Sequence, residues 1–303
     1  MKKWLKRIGL LIGVLAILLG LFLSYSYFIE PRQFVVVNDA VAVPHWDGRL
    51  NGLRVVTIAD IHTGSNFTPP ERIRFVVEQA NAQNPDVIVL LGDYVSESRF
   101  DRERMRTAPD GTDRTELKVP FESVAESLKG LRAKYGVYAV IGNHDWYHNE
   151  QKIHRMLEEI SGINVLNNEI HEVEANGTTL RIWGIEDWWK NRTVPAEAFN
   201  ALAEKKNLIA ITHNPDTLLA APEGFSILFA GHTHGGQLNW PIFGPKAVFN
   251  DPRFMDGLAV VDGKYVYVSS GVGTSVIPLR FRVPPEINVV TLSSNTATMP
   301  ETP

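Results

Sequence analysis

The sequence predicts an α/β protein that follows a single membrane helix. An uncharged apolar run opens the chain, Val/Ile/Leu-rich runs alternate with amphipathic segments up to about residue 160, and strands joined by tight turns dominate the second half. Alternating strands and helices are typical of a layered α/β domain. The 303 residues, 44% of them hydrophobic, can form one large domain or two small ones with a sizeable core.

The apolar run predicts a membrane anchor over residues 1–30. Ile8 to Phe28 carries no charge, and about 20 such residues cross a bilayer as a helix. Four positive charges lie within residues 2–7, so the positive-inside rule predicts a cytoplasmic N-terminus and a domain outside the membrane. A cleaved signal peptide is the alternative, but residues 21–28 contain no Ala-x-Ala cleavage site.

The first half of the chain reads as strands separated by helices. Residues 31–50 form either a linker or a first strand, Phe34–Val43. Three runs that end in polar residues predict buried strands: Arg54–Ala59, Asp86–Leu91 and Val137–Ile141. The amphipathic segments between and after them predict helices that begin at Pro69-Pro70, run from Phe121 to Ala133, and run from about Gln151 to Ile160.

The second half is richer in strands. Asn176-Gly177 and Asp262-Gly263 predict two hairpins, because both dipeptides favour tight turns. Further strands are expected at Leu208–Thr212, Ser226–Ala230 and Ile287–Leu292. We therefore expect the main domain to span 51–293, with a disordered tail at 294–303. The highly charged segment Ser96–Val119 reads as a solvated loop or as a mobile flap near a functional site.

Composition excludes several functions. The chain has no cysteine, which removes disulfides and thiolate metal sites. Its net charge of -4 gives no electrostatic reason to expect bulk nucleic-acid binding.

Potential metal ligands follow five of the predicted strands. These residues are Asp60, His62, Asp93, Asn143, His213, His232 and His234. The ends of neighbouring strands meet at one edge of a sheet, so we expect these side chains to converge. Asp60 and His62, like His232 and His234, are two residues apart and would face the same way on an extended strand.

This donor set suits two divalent ions. Imidazoles with carboxylates favour Mn, Fe, Ni, Co or Zn over calcium or magnesium. Two such ions can clamp the attacking and leaving oxygens of an in-line displacement, with a bridging hydroxide as the nucleophile. His144 would protonate the leaving oxygen, and Asp145 would orient the ring of His144. The expected reaction is metal-assisted hydrolysis of a phosphate ester.

Less informative features permit other interpretations. The same ligands could hold metal in a membrane-anchored binding module without catalysis, although structural sites are usually closed by four ligands. Trp188-Trp189 would line a substrate cleft or cover a hydrophobic edge. The remaining histidines read as surface or helix residues: His45, His148, His154 and His171.

The ordered blocks Asp-x-His, Gly-Asp, Gly-Asn-His-Asp, His and Gly-His-x-His resemble the signature of the calcineurin-like metallophosphoesterases, over about residues 54–292. Gly-His-Thr-His-Gly-Gly-Gln at 231–237 is similar to the bacterial membrane-associated branch, the YaeI- and YkuE-type phosphodiesterases.

The resemblance implies a four-layer α-β-β-α sandwich of two mixed sheets. It implies that Asp60, His62, Asp93 and His234 hold one ion, that Asp93, Asn143, His213 and His232 hold the other, and that His144 is the acid. It also implies a location at the bacterial cell membrane and a phosphodiester or lipid-linked phosphate as substrate. Cleavage of UDP-2,3-diacylglucosamine is an alternative, and the oligomeric state stays open.

Overall fold

The computed structural model describes residues 2–99, 108–240, 244–245 and 251–295. Part of the charged segment and residues 296–303 of the predicted tail lie outside the described residues. The first helix, α1, is Lys2–Ser24. It continues through a π-helical turn at Tyr25–Ile29 and a 3-10 turn at Glu30–Arg32. Together these segments are long and apolar enough to cross a membrane.

Six strands form the first sheet. In chain order they are β1 (Val35–Val43), β2 (Leu53–Ile58), β3 (Val87–Leu90), then β6 (Val137–Ala139), β7 (Asn164–Val165) and β16 (Glu286–Ser294). Their order across the sheet is β1-β16-β2-β3-β6-β7. The strands β2, β3, β6 and β7 are parallel, while β16 runs antiparallel to β2. Both faces of β2 and β3 are buried, which explains their continuous apolar sequences.

The second sheet is also mixed and has six strands. These are β8 (Glu169–Ala175), β9 (Thr178–Gly184), β10 (Leu208–Ile211), β11 (Ile227–Ala230), β14 (Gly257–Val261) and β15 (Lys264–Val268). Their order is β14-β15-β11-β10-β9-β8, with antiparallel strands at both edges. The two predicted hairpins are present, and their turn residues adopt the left-handed conformation that such turns require.

The two sheets pack face to face between outer helices. One buried cluster joins the sheets, with Val55 and Val89 from the first and Ile209 and Phe229 from the second. The outer face of the first sheet is covered by α2 (Pro70–Ala82), α3 (Phe121–Leu128) and α4 (Asn143–Glu159). The outer face of the second sheet is covered by α6 (Glu197–Ala201) and α7 (Thr217–Ala220), while the short helix α5 (Trp188–Asn191) precedes them and adds no residue to that buried cluster. The predicted four-layer sandwich is therefore confirmed.

Four features of the described elements refine the prediction. The helix predicted from about Gln151 is the part of α4 that follows a kink at the non-helical Asn149. An unpredicted first part begins at Asn143, where the Asp145 carboxylate accepts the N–H of Gly142 as a cap. The predicted charged loop contains two short antiparallel strands, β4 (Glu97–Arg99) and β5 (Glu116–Leu117). Residues 35–43, within the segment read as a linker or first strand, form β1 at the edge of the first sheet. Short strands β12 (Asn239–Trp240) and β13 (Gly244–Pro245) pair with each other.

Candidate metal centre

All seven predicted ligands lie at the edge where the central parallel strands of both sheets end. Asp60 and His62 follow β2, Asp93 follows β3, and Asn143 follows β6. From the second sheet, His213 follows β10, while His232 and His234 follow β11. All but His232 are at most 7% exposed. The two sheets thus meet at this edge in one buried polar cluster.

The ligands converge because the backbone turns sharply, not because side chains alternate along a strand. Asp60, His62, Asp93, His232 and His234 all have left-handed φ values, between 45° and 71°. The reasoning from strand alternation is therefore wrong, although the convergence that it predicted is observed. Such conformations cost about 1–3 kcal/mol each and persist where the surroundings fix them, most often at functional sites.

Glycines let the loops approach one another closely. A Cβ on Gly142 would lie 2.3 Å from Asp93 Oδ1, and one on Gly231 would lie 2.5 Å from Asp60 Oδ2. Both contacts are shorter than real Cβ contacts. The glycines of the predicted blocks therefore serve the packing of the carboxylates.

The first group of donor atoms comes from Asp60, His62 and His234. Their donor atoms all lie within 4.8 Å of one another. Nε2 of His234 is 3.2 Å from Nε2 of His62 and 3.5 Å from Oδ1 of Asp60. Both oxygens of Asp60 also accept the backbone N–H of His232, which ties this group to the next loop.

The second group comes from Asp93, His213 and His232, with Asn143 beside it. Nε2 of His213 lies 3.2 Å from Oδ2 of Asp93, 3.0 Å from Nδ1 of His232 and 3.0 Å from Oδ1 of Asn143. Oδ2 of Asp93 is also 3.4 Å from Nε2 of His62. Asp93 therefore borders both groups.

The hydrogen bonds of two histidines test whether a cation fits between these atoms. Nδ1 of His62 faces the carbonyl of Val95 at 3.2 Å, and Nδ1 of His213 faces the carbonyl of Leu91 at 2.7 Å. Each Nδ1 must carry the proton to donate it, so in the neutral ring each Nε2 presents a lone pair. In that form both lone pairs would face the Asp93 carboxylate, so these groups need a cation between them, which is either a proton on Nε2 or a metal ion. The residues fit divalent metal ions.

The charges of the site favour the same conclusion. Burial alone would lower the pKa of His213, but the negative charge of Asp93 raises it to about 10. Burial tends to raise the pKa of Asp93, yet His213 and His144 hold it well below its usual range. Burial lowers the pKa of His62 to about 3, which keeps its ring in the neutral form that binds metals.

His144 lies beside the ligands and pairs with a carboxylate that the sequence reasoning missed. Its Nδ1 is 2.8 Å from Oε2 of Glu97, and its Nε2 is 3.4 Å from Oγ of Ser275. Burial would lower the pKa of His144, but Asp93 and then Glu97 raise it to about 9. The ring is therefore protonated at neutral pH and has an N–H that faces the cleft.

Asp145 does not orient His144. Its carboxylate accepts the backbone N–H groups of Asp93, Tyr94 and Gly142 at 2.7–2.9 Å. The predicted pairing of Asp145 with His144 is corrected to Glu97 with His144. Asp145 instead fixes the loop that carries Asp93 against the first turn of α4.

A cleft of about 400 Å³ opens above His62, Asn143 and His144. Trp189 lines it, and its ring lies 4.4 Å from that of His232. Of the two alternatives for Trp188-Trp189, lining of a cleft is therefore observed for Trp189. Its other lining residues are Ser96, Glu97, Lys118, Tyr147, Thr274, Ser275 and Val276. The sequence signal for Glu97 was a carboxylate four positions after Asp93.

The remaining histidines stand apart from the two groups. His148 and His154 lie in α4, while His45 and His171 are exposed. His148 is buried and faces Thr115 and Asp113 instead of the cleft.

The chain is similar to known proteins over most of its length. A family model described as calcineurin-like phosphoesterase matches residues 53–236, from β2 through the loop that carries His234. The Bacillus subtilis metallophosphoesterase YkuE is 26% identical over 279 residues, covering 89% of this chain and 90% of that protein. The Escherichia coli phosphodiesterase YaeI is 28% identical over 273 residues, covering 89% and 92%. A Danio rerio protein named transmembrane protein with metallophosphoesterase domain is 28% identical over 293 residues, covering 92% of this chain and 62% of its own length.

Proposed function

This chain belongs to the calcineurin-like phosphoesterase family and is a metal-dependent phosphoesterase. On that premise we propose that it is a phosphodiesterase, anchored to a bacterial cell membrane, that works with two divalent ions. The name of YaeI, which aligns over most of the chain, supports the diester. The observation that carries the proposal is the approach of two buried imidazole nitrogens, Nε2 of His62 and Nε2 of His213, to one oxygen of the Asp93 carboxylate.

The two groups of donors support two ion positions. Asp60, His62, Asp93 and His234 would hold one ion, and Asp93, Asn143, His213 and His232 the other. The predominance of imidazole nitrogen supports Mn, Fe, Ni, Co or Zn. When bound, such ions polarise a phosphoryl group and make water acidic enough to attack phosphorus near neutral pH.

His144 would donate the proton that the leaving oxygen needs. Its protonated ring faces the cleft through Nε2, while Glu97 holds Nδ1 and fixes the orientation of the ring. Trp189 and Tyr147 also line the cleft, Tyr147 with its ring 5.8 Å from that of His144, and they would contact the organic groups of a diester.

The N-terminal helix supports a single-pass anchor at residues 1–30. The basic residues before it favour a cytoplasmic N-terminus, so the catalytic domain, 51–293 with β1 added, would be extracytoplasmic.

Metal reconstitution tests the proposal. The full-length protein would be purified in detergent, stripped with a chelator and reloaded with Mn, Ni, Zn or Mg. Hydrolysis of bis(p-nitrophenyl) phosphate should depend on the added transition metal and exceed that of p-nitrophenyl phosphate. Asp93→Asn removes the carboxylate that borders both groups, so activity should fall by roughly 100-fold or more.

Asp262→Asn is the matched control, because Asp262 is an exposed turn residue with a left-handed φ that asparagine also adopts. It should leave the rate unchanged. Diester hydrolysis that persists without metal, or in a folded Asp93→Asn variant, would exclude the proposed function.

A further inference from the structure

The chain enters the catalytic domain at the edge that carries the metal centre. In β1, Val35 pairs with Glu286 of β16. In the antiparallel pair of β16 and β2, Asn288 lies opposite Thr57. The start of β1 is therefore level with the end of β2, where Asp60 follows. The membrane helix and the catalytic cleft lie at the same edge of the sandwich.

The last turns of the helix are packed into the domain and do not form a flexible stalk. Ser26 and Glu30 are at most 2% exposed. The Glu30 carboxylate accepts the backbone N–H of Val283, and the carbonyl of Ser26 accepts the N–H of Arg280. The orientation of the domain relative to the helix is thereby fixed.

Aromatic residues of the domain contact the helix within its apolar run. The ring of Phe22 lies 4.8 Å from that of Trp240 and 4.9 Å from that of Phe281. Phe22 is six residues before Phe28, the last residue of that run, a distance of about 9 Å along a helix. Aromatic side chains concentrate at the membrane–water interface. With the helix across the bilayer as proposed, this part of the domain would reach the depth of the lipid headgroups.

An exposed apolar loop, Val276–Leu279, lies between the helix and the cleft. The side chain of Asn66 donates to the carbonyls of both Tyr27 and Pro278, at 2.9 Å each. Val276 is two residues before Pro278, which is at most about 7 Å along the chain. This valine is 99% exposed and lines the cleft. Ile277 is also exposed.

The conformation of this loop is held in place. Val276 has a φ of 60°, which is rare for a β-branched residue and indicates strain. The side chain of Gln237 brackets it, accepting the N–H of Ser275 at 2.6 Å and donating to the carbonyl of Ile277 at 3.0 Å. The fold therefore maintains a valine in full exposure beside the catalytic cleft.

We propose that the 276–279 loop is inserted in the interfacial layer of the lipid bilayer, so that the mouth of the cleft opens at the membrane surface. Its continuity with the packed end of the helix identifies the bilayer as the partner. The inference rests on the proposed anchoring, but not on catalysis. A cleft in this position receives a phosphodiester carried by a membrane lipid without withdrawing that lipid from the bilayer.

Fluorescence quenching in vesicles tests the depth of the loop. The chain has no cysteine, so single labels can be placed in the full-length protein by Val276→Cys, Ile277→Cys, Leu15→Cys and Val260→Cys. Each variant would carry an environment-sensitive NBD label and be reconstituted in phosphatidylcholine vesicles. Leu15 reports the helix, and Val260 is an exposed valine at the opposite edge of the sandwich.

Labels at 276 and 277 should be quenched by lipids with a spin label high on the acyl chain and shielded from iodide several-fold more than the label at 260. If iodide quenched the labels at positions 276, 277 and 260 equally while the label at position 15 stayed shielded, the inference would be overturned. The proposed anchor would then still stand. Shielding of 276 that grows with the protein-to-lipid ratio would also overturn it, because a second copy would then cover the loop. An unshielded label at 15 would refute the anchor itself.

Discussion

At the scale of single residues, one carboxylate holds the ring of His144 in place, since Oε2 of Glu97 lies 2.8 Å from its Nδ1. The convergence of the seven predicted ligands was predictable, because each follows an apolar run that ends in a polar residue. Glu97 was not, since it lies in a charged segment with several acidic residues and becomes a partner of His144 only when β4 and β5 pair.

Glu97→Gln should move the alkaline limit of activity to lower pH. Glu97 is one of the charges that raise the pKa of His144 to about 9, so its neutral isostere lowers that pKa. An acid loses activity as pH rises through its pKa, and the kcat profile of the variant should therefore decline earlier. The measurement is kcat against pH for a diester with an alkyl leaving group, because an alkoxide needs the proton from His144 whereas nitrophenolate does not.

Glu116→Gln is the control for this change. Glu116 is exposed on the paired strand β5, and its loss should leave the profile in place. An unchanged alkaline limit in Glu97→Gln would mean that the pair does not set the protonation of His144.

At the scale of elements, the strands and hairpins follow from the sequence better than the helix boundaries. Apolar runs of about four residues that are bounded by turn residues are too short for helices and predict buried strands. The sequence predicts the part of α4 after the kink at Asn149 but not the part before it, because His144 and Asp145 there indicate a functional site. The capping role of Asp145 was the signal that could have placed it.

The segment 270–284 is organised by Arg280, which is fully buried. Its guanidinium donates to the carbonyls of Ser270, Gly271, Gly273 and Val283 at about 3 Å. Gly271 and Gly273 in turn pack against Asp60 and the residues after it. One side chain thus connects the loop at the cleft to the metal ligands.

Arg280→Lys should destabilise the protein by about 3 kcal/mol, because an ammonium group cannot reach these carbonyls and leaves buried acceptors unsatisfied. The affinity of the site for metal should fall together with the stability. Denaturant unfolding and manganese titration measure the two effects. The exposed neighbour Arg282 offers the control, and Arg282→Lys should change stability by less than about 0.5 kcal/mol. Similar stabilities for the two variants would contradict the role assigned to Arg280.

At the scale of the whole molecule, the metal centre joins the two sheets. Its ligands come from loops of both, so bound ions should stabilise the sandwich as a unit. An ion present at about 100 times its Kd adds about 2.7 kcal/mol to the free energy of unfolding. Chelation should therefore lower the Tm of the catalytic domain, and manganese should restore it.

The size of that effect should increase with pH. The folded-state pKa of His213 is raised to about 10, above its unfolded value of about 6.5. Its proton therefore stabilises the metal-free protein fully below about pH 6.5, and that contribution is lost as pH rises toward 10. Because the ion requires the neutral ring, it competes with this proton.

The increase in Tm on adding manganese should accordingly be larger at about pH 8 than at about pH 6. Calorimetry at both pH values measures it, and Asp93→Asn should show no increase at either. A larger increase at the lower pH would contradict the proposed competition.

The relation between helix and domain could not be predicted from the sequence. The apolar run predicts a membrane span but not how the end of that span packs, because the contacts of Ser26 and Glu30 are made with residues about 250 positions away.

Those contacts determine whether the enzyme can be shed. Cleavage after Arg32 and loss of the helix would remove the Glu30 carboxylate and the Ser26 carbonyl from the domain. The buried backbone N–H groups of Val283 and Arg280 would then have lost these acceptors. In the released domain, the segment that these contacts hold beside the cleft would be less firmly positioned. Proteolytic release would therefore inactivate this protein instead of producing a soluble form of it.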